Sequence, residues 1–457
     1  MQCLTQALDQ AFLGDRAVPQ LATFVVDDDP DDRSEAVDDA SALTWTEPAR
    51  CRDVETQFDA GRGAIGVLAA RAARRRESNL ELATRDPHRP RHHDLVVHPT
   101  DRGTPALPYG AGMGDIKLGY NTGYWSATPP AGALEAIKEA ERLGFDSVWT
   151  AEAYGSDALT PLAWWGAHTE RIKLGTGIVQ MSARTPAATA MAAMSLDHLS
   201  GGRFILGVGA SGPQVVEGWY GEPYPKPLAR TREYVEIVRR IVAREAPVEF
   251  HGAHYDLPLQ GGTGLGKALK STIHPLRPTI PIYLAAEGPK NVALAAEICD
   301  GWLPLFFSPS DDEFYRERLA EGFAASADPS RADTFEIAAT VTIIPGDDVE
   351  ACADLIRPFL ALYAGGMGAR GANFHFEVFA RMGYEDVATK VQELYLEGRK
   401  QEAAAVIPLE MVEDVALIGP PAKIRADLER WRETCLTTIL VGGPASLLGT
   451  LADLVNG

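Results

Sequence analysis

Positive charge is scarce in this chain of 457 residues: 43 Lys+Arg stand against 63 Asp+Glu, a formal net charge of −20. A nucleic-acid binder carries a basic face, and a protein held on anionic membranes carries basic clusters, so neither partner is expected. Long apolar runs are missing too. No stretch approaches the roughly 20 residues that a membrane span needs. The opening MQCLTQALDQAFLGDRAVPQ lacks a basic start followed by an apolar segment, so no secretory signal is predicted. Cysteine is sparse: Cys3, Cys51, Cys299, Cys352 and Cys435 are dispersed, with no CxxC pair. That pattern reads as reduced thiols in the cytoplasm, neither a disulfide frame nor a zinc site. What remains is 46% hydrophobic and 23% charged, ordinary for a soluble globular protein.

Lysine is absent from residues 1–112, which nevertheless hold 13 Arg and four of the ten histidines (His88, His92, His93, His98). An acidic run from Asp27 to Asp32, interrupted by Pro30, and a basic run from Arg71 to Arg76 lie in the same segment. Apolar periodicity is weak, so there is little burial to offset the entropy of ordering the chain. Residues 1–112 are therefore expected to be a mostly disordered N-terminal extension, either a regulatory arm or an upstream stretch ahead of a true start at Met113.

From Met113 the pattern becomes regular. Short apolar, β-branched runs recur at Ile116–Asn121, Ser147–Glu152, Ile172–Val179, Phe204–Gly209, Ile280–Ala286, Gly301–Phe306, Phe335–Ile344 and Thr437–Gly442. Near-continuous apolar content is the mark of strands buried on both faces in a parallel sheet. Helical stretches lie between them. In Ala131–Leu143, Leu134, Ile137 and Ala140 share one face, Glu135, Lys138, Glu139 and Glu141 the other, and Gly144 stands where a left-handed cap belongs. Thr185-Pro186 and Pro289 open helices at 187–199 and 290–297, and 228–243 is a further long helix. Eight β–α units predict an α/β fold, a (β/α)8 TIM barrel spanning 113–457, rather than an open doubly wound sheet. Two insertions enlarge it, at 245–279 and at about 364–408.

Chemistry in such a barrel sits where strands end. The strand-end residues form an aromatic, glycine-rich rim with few charges. No lysine ends a strand, which disfavours Schiff-base chemistry. No His-x-His or paired carboxylates suit a metal, so no metal site is expected. Two turns look built for anions: Gly209-Ala210-Ser211-Gly212 ahead of Pro213, and Ala286-Glu287-Gly288-Pro289-Lys290-Asn291. Free N–H groups at a helix start attract phosphate, although a glycine after a strand also serves as a plain tight turn. Two such turns in one barrel point to a phosphorylated cofactor, with Lys290 the phosphate partner. Glu152, at a strand end, reads as an acid/base or as a salt-bridge carboxylate. Tyr124, Trp125 and Tyr154 would wall a substrate pocket or simply edge the core. Trp219-Tyr220 line the same mouth or pack the helix at 228–243.

The segments KLGYNTGYW, EAIKEAERLGFDSVWTAE, IKLGTGIVQMSARTPAATAMAAMSLDHLSGGRFILGVGASG and IYLAAEGPKNVALAAEICDGWLP, in this order and spacing, resemble the luciferase-like monooxygenase superfamily. Within it they resemble most the branch using the deazaflavin coenzyme F-420, common in actinobacteria. The resemblance covers residues 115 to about 455. It implies a cofactor-binding set of Gly177-Ile178, with a non-proline cis peptide against the cofactor ring, together with Gly209, Ala210, Ser211, Gly212, Ala286, Glu287, Gly288, Lys290 and Asn291. Deazaflavin enzymes often carry an acid followed by histidine at the end of strand two. Here Glu152 is followed by Ala153, so Glu152 and His375, from the second insertion, are the candidate catalytic residues. The resemblance further implies a homodimer acting on a small organic substrate. Three functions stay open at this point: an F-420-dependent oxidoreductase, an FMN-dependent monooxygenase, and a non-catalytic barrel that binds a flavin-like cofactor. Gly177 and the tight GASG loop favour the first over the second.

Overall fold

The computed structural model describes residues 116–457, apart from Pro329, Ala369, Arg370 and Ala372. The expectation for residues 1–112 lies outside the described residues.

Parallel strands close into a ring. In chain order they are β1 (Lys117–Asn121), β2 (Ser147–Thr150), β3 (Lys173–Thr176) with its continuation β4 (Val179–Gln180), β5 (Phe204–Gly209), then β8 (Ile282–Ala285), β9 (Gly301–Leu303), β10 (Glu336–Thr340) and β13 (Thr438–Val441). Each pairs with the next, and β13 pairs with β1, so the barrel has no open edge. All eight predicted strands are present, and the fold is a (β/α)8 barrel. An open sheet is excluded by the β3–β5 and β1–β13 pairings together.

Helices cover the outside. They are α1 (Ala133–Arg142), α2 (Leu159–Gly166), α3 (Pro186–Leu199), α4 (Pro213–Gly218), α5 (Pro227–Ala243), α6 (Pro289–Ile298), α7 (Asp312–Ala325), α8 (Val349–Ala361), α9 (Phe374–Phe379), α10 (Glu385–Leu396), α11 (Pro421–Arg432) and α12 (Ala445–Asn456). Their starts follow the local chemistry. The Thr185 hydroxyl accepts the Ala188 N–H (3.2 Å) with Pro186 in the first turn of α3, as an N-cap and a first-turn proline should. At the end of α1, Gly144 sits at φ +83°, the left-handed cap that a side chain would strain.

The insertions are more structured than their composition suggests. In the first, β6 (Phe250–His251) and β7 (Asp256–Leu257) form an antiparallel hairpin. The Glu233 carboxylate of α5 gathers the N–H groups of Ala253, His254 and Tyr255 at 2.8, 2.8 and 3.0 Å, anchoring it. The predicted strand 335–344 is two: after β10, the segment β11 (Thr342–Pro345) changes partner and pairs with β12 (Ala416–Gly419). The sequence reading had no strand at β12, whose short ALIG run sits among helices. In the second insertion residues 387–406 form most of α10 and, past Gly398 (φ +78°), a short helix Lys400–Ala405. Among the described residues no helix is long and apolar enough to cross a membrane, and no group of His, Cys, Asp and Glu is placed to hold a metal ion.

Candidate active site

The barrel interior is a plug, not a pore. Trp149, Ile205, Tyr283, Leu303, Ala338 and Leu440 pack together, and Ile178 and Ala285 rest on them. The Trp149 and Tyr283 rings are 5.6 Å apart. Glycine makes the room: a Cβ on Gly175 would stand 2.4 Å from the Trp149 ring. The inward side chains thus form a floor, and any ligand must sit on it from the carboxyl rim.

At that rim β3 breaks. The Gly177–Ile178 peptide is cis, and β4 then resumes pairing with β5. The Ile178 side chain lands against Gly209, where a Cβ would meet it at 2.9 Å. Glu152, at the end of β2, faces this break, and its side chain is only 5% exposed. Arg184 grips its carboxylate through both terminal nitrogens, at 2.7 and 2.8 Å. The Gln180 N–H donates to the same carboxylate at 2.7 Å. Glu152 is therefore held in an ion pair, and Arg184 is a residue the sequence reading missed. Its signal was an arginine just past a strand end, in Ser182-Ala183-Arg184-Thr185.

The two glycine turns follow β5 and β8, which are paired neighbours in the ring, so they stand side by side. Ser211 adopts φ +58°, and its carbonyl accepts the Tyr224 hydroxyl at 2.9 Å. Gly212 is extended and opens α4; Ala210 lines a small cleft with Ser182, Tyr224 and Arg230. In the second turn Ala286 is buried, and its carbonyl accepts the Trp302 Nε1–H at 2.8 Å. Gly288 is extended ahead of α6, and no side chain caps that helix. Pro289 carries no N–H, so Lys290 supplies the first N–H of the helix, the position at which a helix start binds phosphate. Within the turn the Asn291 N–H bonds the Gly288 carbonyl at 2.9 Å. Lys290 is exposed and lines a cavity of about 580 Å³ on the outer wall, between α5, α6 and α7, with Leu228, Arg232 and Glu297.

The second insertion reaches the rim. Tyr363, just past α8, lies next to Tyr124 from the β1 loop. Its ring meets His375 edge-on at 4.9 Å and Phe306 at 5.5 Å. Burial pushes the His375 imidazole down to about 4, so it is neutral at physiological pH. Its Nδ1 is buried without a hydrogen-bond partner. Glu287 belongs to the same group. Burial raises its carboxyl to about 7, against the opposing N–H groups of Leu305 and Phe306 and the Arg381 charge. The Leu305 N–H lies 2.7 Å from its Oε1, and Arg381 donates to the Glu287 carbonyl at 3.1 Å. Tyr154 and Trp125 stand farther out. Tyr154 is exposed and contacts the Trp219 ring at 6.5 Å, and Trp125 packs half-buried at the core edge. Tyr220 donates to the Ala153 carbonyl (3.1 Å), tying the end of α4 to the β2 loop.

The structure thus brings Tyr124, Glu287 and His375 together around Tyr363, and sets Glu152 beside Ile178 and Gln180. Tyr363 and Arg381 had no signal in the sequence, because both lie in helical turns of an insertion. Tyr363→Phe removes a buried hydroxyl beside Tyr124 and keeps the ring that packs on His375 and Phe306, and its expected cost is that of one hydrogen bond at most. It should lower stability by up to about 1 kcal/mol, the net worth of one such bond, as read by urea denaturation; a loss above roughly 3 kcal/mol would mean the hydroxyl serves more partners.

A closed parallel barrel with a filled interior, a strand break over it and two uncapped glycine turns side by side defines a (β/α)8 protein whose site lies on the carboxyl rim. Comparison with known proteins narrows this class. The chain belongs to the luciferase-like monooxygenase family, whose model matches residues 114–438. A Mycobacterium tuberculosis protein, assigned by its name to the coenzyme F-420-dependent oxidoreductases, is 56% identical over 343 residues, covering 74% of this chain and 99% of its own. The 5,10-methylenetetrahydromethanopterin reductase of Archaeoglobus fulgidus is 30% identical over 315 residues, covering 67% of this chain and 88% of its own. Among solved structures, the F-420-dependent tetrahydromethanopterin reductase of Methanopyrus kandleri shares the fold with a TM-score of 0.62 at 24% identity, over 75% of this chain and 99% of its own.

Proposed function

We propose that this protein is a coenzyme F-420-dependent oxidoreductase that moves a hydride between the deazaflavin and a small organic substrate. The observation that carries the reading is the placement of the two glycine turns. Gly209–Gly212 and Ala286–Asn291 end adjacent strands, beside the Ile178 side chain, which offers an apolar seat for a ring. The uncapped start of α6 suits the phosphate of such a cofactor. The names of the relatives that cover this chain support the choice of deazaflavin.

When bound, a deazaflavin supplies two-electron hydride chemistry. The residues of this chain would do the rest. Ile178 and Gly209 would seat the ring, and the two turns would bind the phosphate. Tyr124, Tyr363 and the neutral His375 would wall the substrate side and exclude water. Glu287 would handle the proton, because a carboxyl titrating near 7 can give or take one at neutral pH.

Titration with the deazaflavin and with FMN, followed by cofactor absorbance in the presence of candidate alcohols and ketones, tests this. Deazaflavin binding with substrate-dependent bleaching is the expected result. Micromolar FMN binding with none for deazaflavin would overturn it, and binding without any redox change would favour a non-catalytic barrel. Lys290 lines the outer-wall cavity, so Lys290→Ala should leave the Kd for the deazaflavin within about threefold of the wild type in the same titration; a tenfold loss would bring its ammonium to the phosphate.

A further inference from the structure

We infer that Glu152 and Arg184 are positioning residues: their ion pair clasps the 177–180 turn and so sets where the Ile178 side chain meets the cofactor ring. This rests on the function proposed above. Glu152 is tied to that one turn three times over. Its carboxylate accepts the Gln180 N–H at 2.7 Å. Its carbonyl accepts the Gln180 side-chain amide at 3.3 Å. Its own N–H donates to the Ile178 carbonyl at 3.1 Å. Backbone and side chain of one residue thus hold both ends of the segment 178–180.

Arg184 closes the clasp from the far side. Its two terminal nitrogens take one carboxylate oxygen each, the planar two-point geometry that lysine cannot copy. Arg184 is anchored in turn. It precedes Thr185, the cap of α3, and its carbonyl accepts the Tyr234 hydroxyl of α5 at 3.4 Å. The clasp therefore fastens the turn to the start of a helix. The pair is nearly closed to water, with 5% of the Glu152 side chain and 19% of the Arg184 side chain exposed, so solvent does little to screen it.

The consequence lies at Ile178. That side chain rests on the barrel floor and sits so close to Gly209 that a Cβ there would meet it at 2.9 Å. A loosened turn would let it shift along the floor. Glu152, with its oxygens committed to Arg184 and Gln180, is arranged to hold geometry and not to move a proton.

The test uses the full-length protein and the variants Glu152→Gln and Arg184→Lys. Three quantities are measured: the Kd for the deazaflavin by fluorescence titration, the induced circular dichroism of its absorption band, and the pH profile of turnover. Thermal melting is followed alongside. Both variants should weaken cofactor binding by about tenfold and alter the induced band, because a small misplacement at a seat is felt strongly. The pH profile of the remaining turnover should keep both limbs. If Glu152→Gln binds the cofactor as the wild type does and loses one limb, Glu152 is an acid/base and the inference is overturned. Wild-type Kd and band in both variants overturn it as well. Should Glu152→Gln fail to fold, Arg184→Lys, which keeps the charge and loses the two-point contact, decides alone. If the wild type binds FMN and no deazaflavin, the proposed function fails while the clasp is still judged by the same variants with FMN; a wild type that binds neither overturns both.

Discussion

Gly207→Ala should abolish most of the barrel's stability, on the order of 4 kcal/mol or more, and should be read by urea denaturation or as loss of soluble protein. Gly207 lies in β5 at the point where pairing with β3 gives out. The last ladder partners are Gly175 and Ile205. Beyond them the Thr176 hydroxyl takes over, accepting the Gly207 N–H and donating to the Gly207 carbonyl, both at 2.8 Å. This brings the two backbones so close that a Cβ on Gly207 would stand 1.8 Å from the Thr176 carbonyl oxygen and 2.9 Å from Leu303. Neither neighbour can yield. The carbonyl belongs to β3, which β2 holds on its other side through four register pairs, and Leu303 is part of the interior plug. An alanine variant within 1 kcal/mol of the wild type would mean that β3 and β5 part readily, and that the ring is looser than its pairing implies.

Glu287→Gln should make the protein more stable at alkaline pH. Burial raises the Glu287 carboxyl from its ordinary value of 4.5 to about 7. Between these values the folded chain holds a proton that the unfolded chain has released. The stabilising effect of that proton is complete below about pH 4.5 and is lost as the pH rises through 7. Glutamine keeps an acceptor for the Leu305 N–H and carries no charge at any pH. Wild type and variant should therefore lie close together near pH 4.5. By pH 8 the variant should lead by up to about 3 kcal/mol, the full value of the shift. Part of the Glu287 surface stays open, so that figure is a ceiling. Urea denaturation at pH 5 and pH 8.5 reads the difference. A gap that does not widen with pH would place the carboxyl in water. The same variant should lose one limb of the turnover pH profile if Glu287 handles the proton.

The two carboxylates separate what could be read in the sequence from what could not. Both stand at strand ends, and both were visible as candidates for that reason. Their chemistry was not visible. Glu152 is tied to Arg184, a partner on another loop, and the pairing exists only because β2 and β3 are adjacent in the ring. Glu287 is raised by enclosure and held back in part by the Leu305 N–H and by Arg381, which arrives from the second insertion. His375 shows the same division. His375 could be read as a candidate from its place in the insertion, but its edge-on contacts with Tyr363 and Phe306 and its neutral state follow from packing.

By itself the sequence determined the ring of strands, the helix starts and the glycine turns after β5 and β8. Each of these is a local matter: an apolar run buries on both faces, a proline or threonine opens a helix, a glycine allows a tight approach. Only the tertiary structure decided the change of partner at β11, the clasp on the 177–180 turn, and the meeting of Tyr124, Tyr363, His375 and Glu287. Those features depend on which distant segments share a low-dielectric space, and burial and charge pairing act through distance in space, which spacing along the chain does not record.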